Sequence, residues 1–474
     1  MISIRFLLFA LLFAWPLLGD HFINRGKAVT LYPVKQMRGL SDTTRGIRYY
    51  QDRSGIRYGV TDKIIVSFSD PRVRAGLEKR YRLHFLQRLS TRMRLYRIDD
   101  ATRTLDTANR IAAETGVRFA HPDFLLHKQR RVADDYYKNQ WHLKNRDHEG
   151  ADIDVEAAWR YTKGEGVVTA ILDEGIDIDH KDLKANVIGF ANYNDPNSNY
   201  PGSERNNWHG TACAGLLCAA ENGTGIVGVA PAAKLYAVRY SDSDVAQDIK
   251  AFYDLMEANV SVISNSWGSY ANLDAYNEIF RELATRGRGG KGILIFFAAG
   301  NDEKNLDDPG IDDESESPWV ISIGASTEYD EIAPYSNHGS SIDFLAPGGN
   351  FGGELITTDA TGEKGYTDWD YNWNFVGTSA AAPIAAGVGA LILSENPALT
   401  RDEVLDIMKA TARKIGDIPY DADGRNDYAG YGRLDAGKAV ALAHSYRLRS
   451  LAAQIRNDSF AFTIFQSVLK FSGR

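Results

Sequence analysis

Hydrophobic and polar positions follow two patterns along the chain, and the pattern changes close to Trp141. Before this point, short segments with strand-like patterns are separated by segments whose apolar residues lie three and four positions apart, as in amphipathic helices. The strands are predicted at residues 63–69, 93–98 and 117–127, and the helices at residues 73–89 and 104–116. This part of the sequence therefore predicts a small α+β unit.

After Trp141 the strand segments become almost continuously apolar, which is typical of a parallel sheet covered on both faces. They lie at residues 166–173, 234–240, 260–268, 292–301 and 319–327. Segments with helical spacing of apolar residues come between them, at residues 244–259 and 273–287. The predicted fold class is α/β, an open parallel sheet flanked by helices. In such sheets the functional side chains lie at the carboxyl ends of the strands.

Three reactive side chains stand at predicted strand or helix ends. Asp173 closes a strand, His209 precedes a run of small residues that begins a helix, and Ser379 starts a strongly apolar helix. Taken alone, each has a structural explanation: a tight turn, a packed histidine, or close helix packing. Taken together they point to nucleophilic catalysis, because a serine hydroxyl needs a base to remove its proton and a carboxylate to orient that base. Asn301, which ends another strand, is a candidate oxyanion donor or an ordinary turn residue.

A resemblance to a known family rests on several motifs: ILDEGIDIDHKDL, HGTACAG, FFAAGN, GTSAAAP and GYGRLDAGKAV. Over roughly residues 130–442 the chain resembles the subtilisin-like serine proteases, whose catalytic residues come in the order Asp, His, Ser. The resemblance implies the subtilisin-like fold. It also implies that Asp173 orients His209, that His209 is the general base and acid, that Ser379 is the nucleophile, and that Asn301 lies in the oxyanion hole.

Within this family, the segments QWHL, SNSWGS, RGRGGKG and ITTDATG resemble the kexin and furin-like branch. That resemblance implies substrate-binding roles for two groups of residues. The backbone of an edge strand would pair with an extended substrate, and carboxylates would face its basic residues. The residues concerned are Ser266, Trp267 and Gly268 in the strand and Glu174 as the carboxylate. Asp307 and Asp312 are further candidates, which would supply acidity to the primary pocket where the chain departs from the branch.

The acidic segment at residues 302–316 carries eight carboxylates and is also explained as a solvated loop. The chain departs from the branch at residues 269–271, which are Ser, Tyr and Ala where kexins have an acidic calcium ligand. The resemblance therefore gives no support to a second calcium site.

A structural calcium site is implied by residues that match the strong site of the family. Carboxylates, amides and backbone carbonyls are the ligands that calcium prefers, although each of these residues is also an ordinary surface or turn residue. The side-chain ligands would be Asp134, Asp182 and Asn222, and the backbone ligands Ala219, Thr224 and Ile226. We expect no organic cofactor.

Charge is divided unevenly along the chain. Residues 21–131 carry 24 Lys and Arg against 10 Asp and Glu, whereas residues 132–474 carry 29 against 51. The net charge of -8 argues against a nucleic-acid partner. The basic unit instead resembles the pro-domain of these proteases, with a ferredoxin-like α+β fold, and KQRR at residues 128–131 would be cut after Arg131.

The expected organisation is a signal peptide at residues 1–20, a pro-domain at 21–131, a peptidase domain at 132–442 and a tail of unknown role at 443–474. The apolar segment at residues 6–18 predicts export, to the periplasm or the medium, with an uncleaved anchor as the alternative. After signal removal we expect no stable membrane span. Cys213 and Cys218 lie five residues apart on one predicted helix, which predicts free thiols.

The sequence therefore predicts a secreted serine endopeptidase that is made as a self-processing zymogen and prefers basic residues before the cleaved bond. Its expected partners are protein or peptide substrates and its own pro-domain. A transpeptidase or macrocyclase on the same scaffold is one alternative, and a catalytically silent binding protein is another. The oligomeric state is not predicted.

Overall fold

The computed structural model describes residues 20–24, 26–34, 47–52, 56–126, 134–195, 197–198, 200–201, 208–240 and 244–457. The chain divides into two compact units, Met1–Arg130 and Arg131–Arg474. Residues 1–19 of the predicted signal peptide and the predicted cleavage site at Arg131 lie outside the described residues.

The first unit is a seven-stranded antiparallel sheet with two short helices. The sheet order is β1-β2-β3-β4-β6-β5, and β7 pairs with the other edge of β4. The elements are β1 (Asp20–Asn24), β2 (Lys27–Val34), β3 (Arg48–Gln51), β4 (Arg57–Phe68), α1 (Arg74–Arg80), β5 (His84–Arg88), β6 (Met93–Arg97), α2 (Thr104–Ala112) and β7 (Val117–Leu126). The long strand β4 is central, and its apolar residues pack with those of α2.

One sequence prediction is wrong in this unit. A single helix was expected over residues 73–89, but α1 ends at Arg80 and β5 follows at His84–Arg88. Arg82 has a positive φ of 50°, which no helix continues through, and β5 pairs with β6. The tertiary pairing with β6 therefore overrides a helical spacing of apolar residues.

The second unit is built on seven parallel strands, as the apolar segments predict. Their order is β14-β13-β12-β11-β8-β10-β9. The sheet and its hairpin contain β8 (Val168–Asp173), β9 (Val187–Asn192), β10 (Lys234–Arg239), β11 (Val262–Asn265), β12 (Leu294–Ala298), β13 (Ile321–Ser326), β14 (Ile342–Pro347), β15 (Leu355–Thr358) and β16 (Tyr371–Phe375). The helices are α3 (Val155–Ala158), α4 (Trp208–Cys218), α5 (Val245–Glu257), α6 (Asp274–Gly290), α7 (Thr378–Glu395), α8 (Arg401–Thr411) and α9 (Ala436–Asn457).

Helices cover both faces of this sheet. Residues of α4, α7, α8 and α9 form one large core with one face, and residues of α5 and α6 form a second core with the other. Helix α7 is long and apolar enough to cross a membrane, but 89% of it is buried inside the protein, so its apolarity reflects a core position. The predicted domain boundary at residue 442 falls inside α9, which spans Ala436–Asn457. Residues just after this boundary still pack on the second unit, since Ala443 is fully buried and His444 contacts Glu395 at 2.7 Å.

The order of the strands places the first strand, β8, inside the sheet. The chain goes to one side of β8 for β9 and β10 and to the other side for β11 to β14. A crevice forms at the carboxyl ends of the strands where the direction of winding changes. Asp173, the last residue of β8, lies at this point.

We predict that Phe296→Ala lowers the free energy of unfolding by about 3–5 kcal/mol, because deletion of a buried aromatic ring leaves a cavity. Phe296 lies in β12 and is 0% exposed. The matched control is Phe351→Ala, whose ring is 92% exposed and whose loss is expected to cost no more than about 0.5 kcal/mol. Urea unfolding followed by circular dichroism compares the two, and equal losses would contradict the position of β12 in the core.

Candidate active site

The first two candidate residues form a hydrogen-bonded pair at the carboxyl end of β8. His209 is the second residue of α4, and its Nδ1 lies 2.8 Å and 2.9 Å from the two carboxylate oxygens of Asp173. Since an ionised carboxylate only accepts hydrogen bonds, Nδ1 carries the proton and Nε2 is left as the basic nitrogen. Gly210 permits this approach, because a Cβ there would lie 2.4 Å from the Gly175 carbonyl oxygen.

Burial and charge act in opposite directions on the imidazole. Burial lowers the pKa of His209, but the charge of Asp173 and its hydrogen bond outweigh this effect and raise the pKa well above its usual value. The side chain of Asp173 is 2% exposed and that of His209 is 21% exposed, so little water screens the pair. The pair therefore stabilises a positive charge on the imidazole.

Ser379 is the second residue of α7, where backbone N–H groups have no acceptor within the helix. Its hydroxyl donates to the Ser266 carbonyl oxygen at 3.3 Å, and the Ser266 hydroxyl donates to the Ser379 carbonyl oxygen at 3.0 Å. The buried thiol of Cys213 joins the two parts of the site, since its Sγ lies 3.4 Å from the Ser379 carbonyl oxygen and 4.0 Å from His209 Nδ1. The serine hydroxyl has to leave Ser266 before it can donate to His209.

The thiol of Cys213 is a packing group in this structure. Both cysteines are free and buried, as the sequence predicts. Burial raises the pKa of Cys213, so the thiol is neutral at physiological pH. Cys213 therefore supports the positions of His209 and Ser379 without supplying a second nucleophile.

Asn301 lies three residues beyond β12, at the same end of the sheet. Its side-chain oxygen accepts hydrogen bonds from the Thr378 backbone N–H at 2.8 Å and from the Thr378 hydroxyl at 2.9 Å. Because a backbone N–H can only donate, this contact fixes which end of the amide is oxygen. The other end of the amide is therefore the nitrogen, Nδ2. It lies close to the turn before Ser379, because a Cβ added at Gly377 would be 3.3 Å from it.

The segment Ser266–Gly268 follows β11, which ends at Asn265. In the described part of the chain it pairs with no other strand, as expected of a segment that would pair with an extended substrate, and Ser266 at its start is buried. The indole of Trp267 packs against Tyr240 and Phe297. Gly268 is required here, because a Cβ would lie 2.5 Å from the carboxylate of Asp313.

The acidic segment at residues 302–316 is only partly solvated, and the solvated-loop explanation is wrong for its last turn. Glu314 is 0% exposed and accepts hydrogen bonds from the backbone N–H of Ser269, at 2.9 Å, and from its hydroxyl. Burial raises the pKa of Glu314. Asp313 is also buried, and its carboxylate accepts from the Tyr270 N–H at 3.3 Å. These two carboxylates hold the chain directly after Ser266–Gly268.

The three carboxylates predicted to face a basic substrate have different positions. Glu174 directly follows Asp173, and its backbone N–H donates to the Asp173 carboxylate at 2.8 Å. Asp312 is exposed next to the buried pair, and its carbonyl oxygen accepts from Asn272 at 2.9 Å. Asp307 is instead held by Ser340, whose N–H and hydroxyl donate to its two oxygens at 2.8 Å and 2.5 Å. The structure thus ties Asp307 to the start of β14.

The residues predicted to bind calcium come together around one loop. The Asp182 carboxylate is 0% exposed and accepts hydrogen bonds from Asn222, Thr224 and the Ile226 N–H at 3.1, 3.3 and 3.0 Å. The Ala219 carbonyl oxygen accepts from the Gly228 N–H at 2.9 Å. Every predicted ligand residue therefore lies on or beside this loop.

Asp134 joins the group through the same loop. Its Oδ1 accepts from the N–H groups of Asn222 and Gly223 at 3.2 and 3.3 Å. Its Oδ2 is buried and has no hydrogen-bond partner among the described residues. Burial raises the pKa of Asp134 to about 6, and the neighbouring carboxylates of Asp182 and Glu221 add to this rise. An unpaired buried carboxylate oxygen among other oxygen donors fits a hard cation.

Sequence reasoning missed the aromatic residues around His209. Phe375 lies with its ring centroid 5.7 Å from that of His209, and Trp208 and Tyr366 extend the cluster. The signal available was the tryptophan that directly precedes the candidate histidine. The buried role of Glu314 had no such signal, because a charge-rich segment predicts exposure.

An oriented imidazole, a hydroxyl at a helix N-terminus and an amide donor at one edge of a sheet form an arrangement suited to acyl transfer. Comparison with known proteins agrees. Residues 164–432 match the subtilase family, Peptidase_S8. The chain is 34% identical over 376 residues to a calcium-dependent protease of Trichormus variabilis, covering 71% of this chain and 56% of that protein.

The chain is also 33% identical over 349 residues to human proprotein convertase subtilisin/kexin type 4, covering 67% of this chain and 45% of the relative. It thus spans about half the length of these curated relatives. The solved structure of a serine protease of Aeromonas sobria matches with a TM-score of 0.59 and 23% identity, over 67% of this chain and 68% of that one. The predicted subtilisin-like fold and the resemblance to the kexin-like branch are therefore confirmed, and the chain belongs to the subtilase family.

Proposed function

We propose that the chain is a serine endopeptidase in which Asp173, His209 and Ser379 form the catalytic triad. The observation that carries this proposal is the contact of His209 Nδ1 with both oxygens of a nearly buried Asp173, at 2.8 and 2.9 Å, beside a serine at the start of α7. Family membership supports it, since the family model covers this region. Export is part of the proposal and rests on the apolar residues 6–18.

In the proposed reaction, His209 Nε2 takes the proton of the Ser379 hydroxyl as Oγ attacks the carbonyl carbon of a peptide bond. The negative oxygen that forms is stabilised by the Asn301 amide and by the backbone N–H of Ser379. His209 then gives its proton to the leaving amine. A water molecule attacks the acyl-enzyme in the same way, with His209 again as base, and frees the second product.

The proposal includes synthesis as a zymogen, with the first unit as an inhibitory pro-domain. It is supported by the charge of the two parts, since residues 21–131 have an excess of basic residues and residues 132–474 an excess of acidic ones. Opposite charge favours association of two surfaces. The basic sequence KQRR at residues 128–131 then supplies a site for self-processing.

We predict that the full-length wild type yields a product that begins at Val132, whereas Ser379→Ala stays uncut, because cleavage needs the nucleophile. The kcat of Ser379→Ala for peptide hydrolysis is expected to be roughly 10⁴–10⁶-fold lower than that of wild type. Intact mass and N-terminal sequencing of both purified chains make the measurement. Mixing wild type with Ser379→Ala tests cleavage between molecules, and processing of Ser379→Ala alone would show that another protease makes the cut.

A preference for basic residues before the cleaved bond is supported by Glu174 beside Asp173 and by exposed Asp312 near Ser266–Gly268. A carboxylate close to a bound cationic side chain stabilises it more strongly where water is excluded. Asp307 contributes less to this preference, because Ser340 binds both of its oxygens.

We predict that Glu174→Gln lowers the selectivity for Lys-Arg over Ala-Arg before the bond by about tenfold, or about 1.4 kcal/mol, since it removes one charge without changing shape. The measurement is kcat/KM for pairs of peptides that carry Lys-Arg or Ala-Arg before the cleaved bond and are otherwise identical. Asp307→Asn is the control and should leave the ratio as it is in wild type. A larger effect in Asp307→Asn than in Glu174→Gln would reverse the assignment.

We also propose a structural calcium ion held by Asp134, Asp182 and Asn222, with the backbone of the loop at residues 219–226. The support is the buried, unpaired Oδ2 of Asp134 next to fully buried Asp182, together with the relative named a calcium-dependent protease. A bound calcium ion supplies positive charge to these carboxylates. The segment that carries Asp134 is also bound to this loop by its backbone, since the Tyr136 N–H donates to the Gly225 carbonyl oxygen at 2.8 Å.

We predict that calcium stabilises the wild type, by about 2.7 kcal/mol at a concentration one hundred times its Kd. Asp134→Asn should lose most of this gain, because it removes a charged ligand. The control is Asp402→Asn, whose side chain is 86% exposed, and it should keep the gain. Thermal unfolding with and without calcium measures both, and an equal response of all three chains would argue against this site.

A further inference from the structure

A set of aromatic side chains lies beside His209, and we call Trp208, Tyr366 and Phe375 the aromatic wall. The rings of His209 and Phe375 are 5.7 Å apart, those of Phe375 and Tyr366 are 6.2 Å apart, and those of Tyr366 and Trp208 are 5.9 Å apart. Phe375 is 5% exposed, whereas Tyr366 is 48% exposed. The wall thus has a buried base next to the imidazole and an open apolar surface further out.

The position of Tyr366 is fixed by a buried carboxylate. Asp359 is 0% exposed, and it accepts hydrogen bonds from the N–H groups of Tyr366 and Thr367 at 3.0 and 2.9 Å. Gly365 lets the chain pass closely, since a Cβ there would lie 2.0 Å from the Asp359 carboxylate. The wall is therefore held in place before any substrate binds, which lowers the cost of ordering it.

The same loop is tied to the helix that carries His209. The Asp177 carboxylate accepts from the Thr361 N–H at 2.9 Å and from its hydroxyl at 2.5 Å. The Asp177 N–H in turn donates to the hydroxyl of Thr211, two residues after His209, at 2.8 Å. Tyr366 and His209 are consequently parts of one hydrogen-bonded framework.

The chemistry of the site indicates which half of a substrate meets this wall. His209 must reach the amine that leaves, so the residues after the cleaved bond pass next to His209. The residues before the bond are assigned to Ser266–Gly268, which contact Ser379 through the hydrogen bonds of Ser266. The wall contacts the imidazole itself, through Phe375. Since Ser266–Gly268 take the residues before the bond, we assign the wall to the leaving half of the substrate.

The wall is neutral under working conditions. Burial raises the pKa of Tyr366 to about 12, so its phenol stays protonated well above neutral pH. The flat, apolar faces of Trp and Tyr side chains pack well against other aromatic or large aliphatic side chains. A small polar side chain such as Ser gains nothing comparable from this surface.

Resting on the proposed peptidase function, we propose that Trp208, Tyr366 and Phe375 form a subsite for an aromatic or large aliphatic side chain among the first two residues after the cleaved bond. The enzyme then selects its substrates on both sides of that bond. The wall binds the leaving half in the acylation step, so the selection acts on kcat/KM for peptides.

The test uses quenched fluorescent peptides that share one sequence before the bond and carry Ser or Phe at the first or second position after it. We predict that wild type prefers Phe by about tenfold in kcat/KM at one of these positions, a size typical of an apolar pocket. Because both rates come from the same preparation, their ratio does not depend on the fraction of folded enzyme.

Three variants locate the preference. Tyr366→Ala should bring the Phe-to-Ser ratio close to one, whereas Tyr366→Phe should keep it, because the ring and not the hydroxyl makes the surface. Tyr253→Ala is the matched control, since Tyr253 is a 42% exposed tyrosine on α5, and it should keep the ratio of wild type.

A peptide p-nitroanilide, which has no residue after the cleaved bond, separates this inference from the proposed function. If wild type cleaves the p-nitroanilide and both peptides but prefers Ser or shows no preference, the subsite is wrong and the peptidase stands. A preference for Phe that survives Tyr366→Ala also overturns the subsite. If wild type cleaves neither kind of substrate, both proposals fail.

Discussion

The burial of helix α7 is the constraint on which the active site depends. This helix is almost wholly enclosed and packs against the sheet and α4. Because it cannot shift without opening the core, its first turn is fixed in position relative to the ends of the strands. Ser379 in that turn, Asp173 at the end of β8 and Asn301 beyond β12 are thus held by the same core. The geometry of the site follows from packing well below it.

Around this rigid centre, buried carboxylates hold the loops. Glu314 binds the chain directly after Ser266–Gly268, Asp359 binds the loop that carries Tyr366, and Asp182 binds the loop at residues 219–226. Each accepts hydrogen bonds from backbone N–H groups, which is how a buried acid avoids the cost of losing water. These loops lack regular secondary structure. The carboxylates therefore accept backbone hydrogen bonds that a neighbouring strand would accept in a sheet.

Much of the fold was predictable, because apolar strand segments and helical spacing report directly on burial. The parallel sheet, the helices α5 and α6 and the helical starts at His209 and Ser379 were all expected from such patterns. The strand β5 was not, since its residues are all exposed and it is held to β6 by backbone pairing and by a ring contact between Phe85 and Tyr96. An exposed strand paired in this way shows no alternation of buried apolar and exposed polar side chains.

The site was predictable to a similar extent. Asp173, His209, Ser379 and Asn301 stand at or near strand and helix ends that the sequence marks. The buried state of Glu314 and the anchoring of Asp307 by Ser340 depend instead on contacts between distant segments. An acidic residue in a charged segment gives no sign of which partner will bind it. The aromatic wall is a similar case, because Tyr366 and Trp208 are far apart in sequence and meet only through the fold.

The enclosure of α7 also bears on how the chain reaches its native state. The helix follows all seven strands of the parallel sheet in sequence, so a chain made from its N-terminus completes those strands before the helix that covers them exists. Until α7 arrives, one apolar face of the sheet lacks a major part of its cover. Exposed apolar surface and long-range parallel pairing both slow folding and favour aggregation. The same helix that makes the finished site rigid therefore leaves the growing chain vulnerable until its own residues have been made.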